Sequence, residues 1–160
     1  TTYRKMALDL VNYAVRQFGL QAGPSRTERI PLLGGQGFEA DGAKKLEQLG
    51  FSPDVSEHLH HAYGARAKEV AQIAADGYRA RLAVEWPVIE AEVIYAARHE
   101  MARTPLDVLA RRTRLAFLDT LAALAAAPRV AELMGRELGW SKEREALEAE
   151  KARIQILSAM

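Results

Sequence analysis

Residues 86–117, WPVIEAEVIYAARHEMARTPLDVLARRTRLAF, constrain the fold more than any other stretch, because two helix starts and a cluster of three arginines within four residues fall in one short segment. Pro87 suits a first helical turn and pushes Trp86 out of the helical region, so a helix is predicted to begin there. Ile89, Val93, Ala96 or Ala97, and Glu100 or Met101 then recur at helical spacing, an apolar face that leaves Glu92, Arg98 and His99 to point elsewhere. Thr104-Pro105-Leu106-Asp107 is a second start. The threonine hydroxyl can accept from the orphan amide of Asp107, the proline fits the first helical position, and Asp107 adds negative charge to the first turn. Leu106, Leu109 and Ala110 form a stripe behind it, so a polar hinge separates two apolar helix faces.

The flanking sequence is also helical in pattern. Tyr3, Met6, Ala7, Leu10, Val11, Ala14, Val15 and Phe18 fall on one wide stripe over residues 1–19, with Thr1 or Thr2 as cap and Gly19 as terminator. Such a helix needs something to pack on. Residues 23–37 carry several glycines and two prolines and read as a loop, with 30–33 a short extended piece; loops of this length are commonly functional or lie on another surface. A short helix with Leu46 and Leu49 inward should end at Gly50, another should run from Ser52-Pro53-Asp54 to Gly64, and a third should cover 65–75. Leu115, Leu118, Leu121, Ala122 and Ala125 continue a stripe that Pro128 should interrupt. Beyond it Val130, Leu133, Met134 and Leu138 bury one side, and Gly139 with Trp140 makes a stop plus a hydrophobic contact. Ser141 should cap a charged last helix with Leu147, Ile154 and Leu157 as its seam, an edge helix with a solvated outer face. The fold class is all-α, a helical bundle of about six to eight helices with one long Gly/Pro-rich loop.

A chain of 160 residues can bury roughly 70% of its unfolded surface in one core. Lysine and arginine total 22 against 21 acidic residues, a balance that argues against a nucleic-acid partner. Without cysteine, disulfides and thiolate metal sites are excluded. No apolar run approaches the roughly 20 residues of a membrane span, and no signal peptide is present, so the chain reads as soluble and not exported by its own sequence. Starting at Thr1 without methionine fits a fragment of a longer protein.

Candidate chemistry is sparse. His58 and His61 would share a helical face with only Asp54 and Glu57 nearby, an incomplete metal site, so His58, His60 and His61 read as a polar helix face. Glu90 and Glu92 lie two apart, on different faces of a helix, and make no acid–base pair. Gly34-Gly35-Gln36-Gly37 lacks the strand and helix of a phosphate loop, and no serine has a base beside it. Three guanidiniums at Arg111, Arg112 and Arg114 repel one another unless anions or solvent separate them. They form a solvated rim paired with Glu90, Glu92, Glu100 and Asp107, or they dock on another domain or bind phosphate.

The run from Pro87 to Phe117 resembles the C-terminal region of FAD-dependent, quinone-linked respiratory glycerol-3-phosphate dehydrogenases, whose pattern is EAEV-Y, HE-A-T, DVL-RRTRLAF. TTYR at 1–4 is similar to the end of that family's G-K-x-T-T-Y-R flavin-proximal motif. The likeness continues through AGPSRT at 22–27, LLGG at 32–35 and RVAELMGRELGW at 129–140. The resemblance implies that residues 1–19 lead out of a missing N-terminal FAD and substrate domain and that 20–160 form a helical cap docked on it. It further implies an oxidoreductase of glycerol metabolism converting sn-glycerol 3-phosphate to dihydroxyacetone phosphate, with electrons passing through FAD to a membrane quinone. Localisation would be cytoplasmic, peripheral to the inner membrane. Only Thr1 and Thr2 match flavin-proximal positions, and the preceding glycine and lysine are absent. The fragment is therefore expected to hold no FAD, to be inactive alone, and to self-associate through exposed apolar surface. Arg111, Arg112 and Arg114 then become interdomain docking residues. The alternative is a stand-alone helical interaction module that binds a phosphate-rich or protein partner through the same arginines.

Overall fold

The computed structural model describes residues 2–158. It divides into two units, Thr1–Leu32 and Leu33–Met160. In the first, α1 spans Thr2–Gln17 and ends where Gly19 turns left-handed and Leu20 donates to the Val15 carbonyl at 3.0 Å. Arg4 donates to the Thr27 carbonyl and ties the return segment to the helix. The stripe exists as expected, yet no residue of α1 is buried, and Tyr3, Met6, Leu10, Val11 and Phe18 face outward.

The second unit has its own core. Its helices are α2 (Gly42–Gln48), α3 (Pro53–Tyr63), α4 (Ala67–Ile73), α5 (Glu90–His99), the one-turn α6 (Leu115–Leu118), α7 (Thr120–Leu138) and α8 (Lys142–Ser158). A tight turn at Gly64–Arg66 joins α3 to α4, and wide π turns at Ala74–Tyr78 and Asp107–Arg112 extend α4 and precede α6. Helix α5 is the axis: every residue from Glu90 to Ala97 is buried, packed on α4 and α7. Val70 and Ala71, Val130, Leu133 and Met134, and Leu59, Leu109 and Leu115 close around it. Among the described residues there are no strands, only one bridge between Arg81 and Ile89.

That bridge displaces the expected helix start. Leu82 donates to the Val88 carbonyl and Glu90 to the Ala80 carbonyl, each at 2.9 Å, so the chain around Trp86-Pro87 is a tight return loop rather than a helical turn. Ile89 is extended, α5 begins at Glu90, and Glu92 reaches back to accept the Ile89 amide at 2.8 Å. Tertiary pairing outweighs the proline signal. The Thr104-Pro105 start does form: the helical turns begin at Pro105, Asp107 accepts from the Thr104 amide at 2.9 Å, and the Thr104 hydroxyl accepts from the Asp107 amide.

Other expectations shift in register. Leu49 faces solvent while Leu46 is buried, and Met101 is 78% exposed with a positive φ. The stripe after Leu115 breaks at Asp119, whose side chain caps α7 by accepting from Ala122 at 2.9 Å. Leu118 and Leu121 consequently point outward. Helix α7 runs through Pro128 without ending, then stops at left-handed Gly139, as expected, with Trp140 donating to the Gly135 carbonyl. Ser141 accepts from the Arg144 amide as predicted. The seam of α8, however, is Ala149, Ala152 and Ile156; Leu147, Ile154 and Leu157 are exposed. Small residues let α8 approach α7 closely, and that proximity decides which face is inward.

Candidate functional site

The motif-bearing segment folds into a polar network embedded in the core. Glu92 on α5 is 1% exposed, buried rather than directed away from the apolar face. One carboxylate oxygen accepts from His58 Nε2 and from the Tyr63 hydroxyl, both at 2.9 Å, while the other takes the Ile89 amide. A buried carboxylate needs such donors to stay satisfied. Burial drives the Tyr63 hydroxyl far above its ordinary range, and the Glu92 charge adds to the rise. Tyr63 packs edge-on against Tyr95, whose hydroxyl accepts from Arg66 at 3.1 Å. Glu90 faces the other way and accepts a two-pronged contact from Arg129, at 2.7 and 2.9 Å, joining α5 to α7. The two glutamates thus serve separate partners, consistent with their spacing. Sequence spacing alone missed the burial of Glu92; its place three residues after Ile89, a helix-capping position, was the available signal.

The histidines divide by environment. His58 leans on Glu92, His60 is buried with its ring stacked on Phe38 at 4.7 Å, and His61 pairs with Glu57 on the surface. Only His61 fits a solvated polar face. Among the described residues no group of His, Asp and Glu could hold a metal ion.

The three arginines also separate. Arg111 pairs with Asp107 one turn earlier. Arg112 contacts the Glu100 carboxylate at 3.2 Å and donates to the Glu100 carbonyl at 2.6 Å, bridging the end of α5 to the π turn. Burial raises the Glu100 carboxyl above its ordinary range despite Arg112, with the Glu92 charge adding to the rise. Arg114 adopts the left-handed conformation at the head of α6, is exposed, and has no ion pair among the described residues. Thr2 lies in the first turn of α1; Thr1 lies outside the described residues.

A family model described as the C-terminal domain of alpha-glycerophosphate oxidase matches residues 25–145. The chain belongs to this family. Mitochondrial glycerol-3-phosphate dehydrogenase from Bos taurus is 46% identical over 160 residues, covering 96% of this chain and 22% of the bovine protein. The corresponding protein of Arabidopsis thaliana is 39% identical over 170 residues, with 96% of this chain and 27% of its own length covered. This chain therefore spans about a quarter of the length of these curated relatives. The X-ray structure of glycerol-3-phosphate dehydrogenase from Bacillus halodurans, complexed with FAD, superposes with a TM-score of 0.76 at 24% identity. That match covers 96% of this chain and 33% of the bacterial one, so the helical fold is shared. No helix among the described residues is long and apolar enough to cross a membrane.

Proposed function

We propose that this chain is the C-terminal helical domain of an FAD-dependent oxidoreductase that converts sn-glycerol 3-phosphate to dihydroxyacetone phosphate. It acts as a docking cap on an N-terminal FAD and substrate domain and has no turnover of its own. FAD held by that N-terminal domain would supply the hydride acceptor for the secondary alcohol and the route for electrons to a quinone, with the whole enzyme peripheral to the inner membrane. The observation that carries this reading is the family match over residues 25–145, joined to relatives several times longer than this chain. A second feature supports it. Helix α1 has an apolar stripe with no buried residue, which suits a helix whose cover lies elsewhere in the longer protein.

One feature of α1 supports a part in a flavin site. The first turn of α1 has no acidic side chain, so its unpaired amides and positive dipole end are not neutralised locally. Thr1 and Thr2 are the positions proposed to serve FAD, where hydroxyl and amide donors would stabilise the negative charge that the cofactor gains on reduction. Arg111, Arg112 and Arg114 would lie at the interdomain surface, with Arg111 and Arg112 also bound to acids of their own domain. The test is glycerol 3-phosphate oxidation with an artificial electron acceptor, measured for this chain and for the full-length protein. Activity in the full-length protein alone is expected. Inactivity of both would overturn the assignment, and stoichiometric FAD on the isolated chain would overturn the docking-cap reading.

A further inference from the structure

Glu92 is the most deeply buried acid of the second unit, and among the described residues no lysine or arginine pairs with it; Glu90, two positions earlier, has Arg129. Among the described residues the group that can bring a positive charge to Glu92 is His58, when protonated, at 2.9 Å, and His58 retains access to solvent with 22% of its side chain exposed. The groups facing His58 are few. Glu92 approaches from α5, Tyr63 shares the same carboxylate oxygen, and Asp54 lies one turn earlier on α3 with its carboxylate held by Arg81 at 2.6 Å. Glu100 faces Glu92 from the end of α5 and is itself held by Arg112.

His58 sits midway along α3, in the α2–α3 hairpin, and this hairpin carries the long loop. Gly34 accepts from the Ala65 amide at 2.9 Å and Phe38 stacks on His60, so residues 34–63 are tied together. We propose that His58 and Glu92 form a proton-controlled clasp: the protonated imidazole fastens the α2–α3 hairpin and its loop to α5, and loss of that proton loosens them. Removing the proton leaves a buried carboxylate with neutral donors only, a costly arrangement in a low-dielectric interior. The direction of the equilibrium follows. Burial opposes the charged imidazole, but the hydrogen bond and charge of Glu92, with Asp54 beyond, outweigh it and raise His58 above its ordinary 6.5. A raised folded-state value contributes stability that is complete below the unfolded value and is lost as pH climbs through the folded one.

The clasp is independent of the enzymatic assignment. Its test is amide hydrogen exchange on the 160-residue chain at about pH 6 and about pH 8, corrected for intrinsic exchange, following peptides over 42–63. Protection there is expected to fall by at least about threefold at the higher pH, while α7 is unchanged. His58→Gln, whose amide donates at both values, is expected to abolish the difference. Equal protection of the wild type at both pH values, or a drop retained in His58→Gln, overturns the clasp. Should His58→Gln fail to fold, Glu92→Gln removes the charge instead, and a drop that persists in it has the same consequence.

Discussion

Arg153 on α8 donates to the carbonyl of Leu124 on α7 at 3.0 Å, the carbonyl that Pro128 leaves without a helical amide. A bond from the neighbouring helix thus replaces the one the proline cannot make, and α7 continues as a single helix. Arg153→Met keeps the apolar stem and removes the donor, so a loss of about 1 kcal/mol is expected. In a Pro128→Ala background the restored amide takes the carbonyl and the loss should shrink. Urea unfolding of the four proteins measures the coupling; identical losses in both backgrounds would show that Arg153 acts only by packing.

Asp54 gives the acid limb of stability. Hydrogen bonds from Ser52 and Arg81 lower its carboxyl from 3.8 to about 2. A depressed folded-state value contributes stability present above the unfolded value and lost as pH falls through the folded one. The melting temperature should therefore drop between about pH 4 and about pH 2, and Asp54→Asn should drop less over that window. Parallel curves for the two proteins would mean that the Arg81 contact, exposed as it is, contributes nothing measurable.

At Gly34 and Gly64 neighbouring backbone leaves no room for a side chain. A Cβ on Gly34 would stand 2.3 Å from the Tyr63 carbonyl oxygen, and one on Gly64 would stand 2.4 Å from the Gly34 oxygen. Both residues have positive φ, so backbone, not a yielding side chain, must move. Gly34→Ala is expected to cost about 2 kcal/mol or more, whereas Gly23→Ala, which meets nothing within 4 Å, should be neutral. Thermal unfolding compares them, and a neutral Gly34→Ala would mean that the loop leaves α3 freely.

What the sequence made legible was local. The Thr104-Pro105 start, the Ser52-Pro53 start and the Gly139 stop each draw on neighbours within a few residues, and all three form. What stayed hidden depends on distant partners. The Trp86-Pro87 signal lost to two backbone bonds, from Glu90 to the Ala80 carbonyl and from Leu82 to the Val88 carbonyl. Glu92 is inward because His58 and Tyr63, on another helix, supply its donors. The α8 seam runs through alanines because α7 comes close, information that larger exposed residues such as Leu147 and Ile154 obscured. Of the arginine cluster, the spacing revealed crowding but not that two members are spoken for at home.

That division makes Arg114 the sharper probe of docking. Charge reversal at Arg112 would sever its contacts with Glu100 and so confuse folding with assembly. Arg114 is exposed and has no ion pair among the described residues, so Arg114→Glu should leave the domain's stability within about 0.5 kcal/mol. If the cluster docks, the same change should weaken association of this chain with the separately expressed FAD-bearing portion on the order of tenfold, with the salt dependence of binding reduced. Titration calorimetry at two ionic strengths reads both quantities. Unchanged affinity with unchanged stability would remove Arg114 from the interface and leave the exposed stripe of α1 as the surface to mutate next.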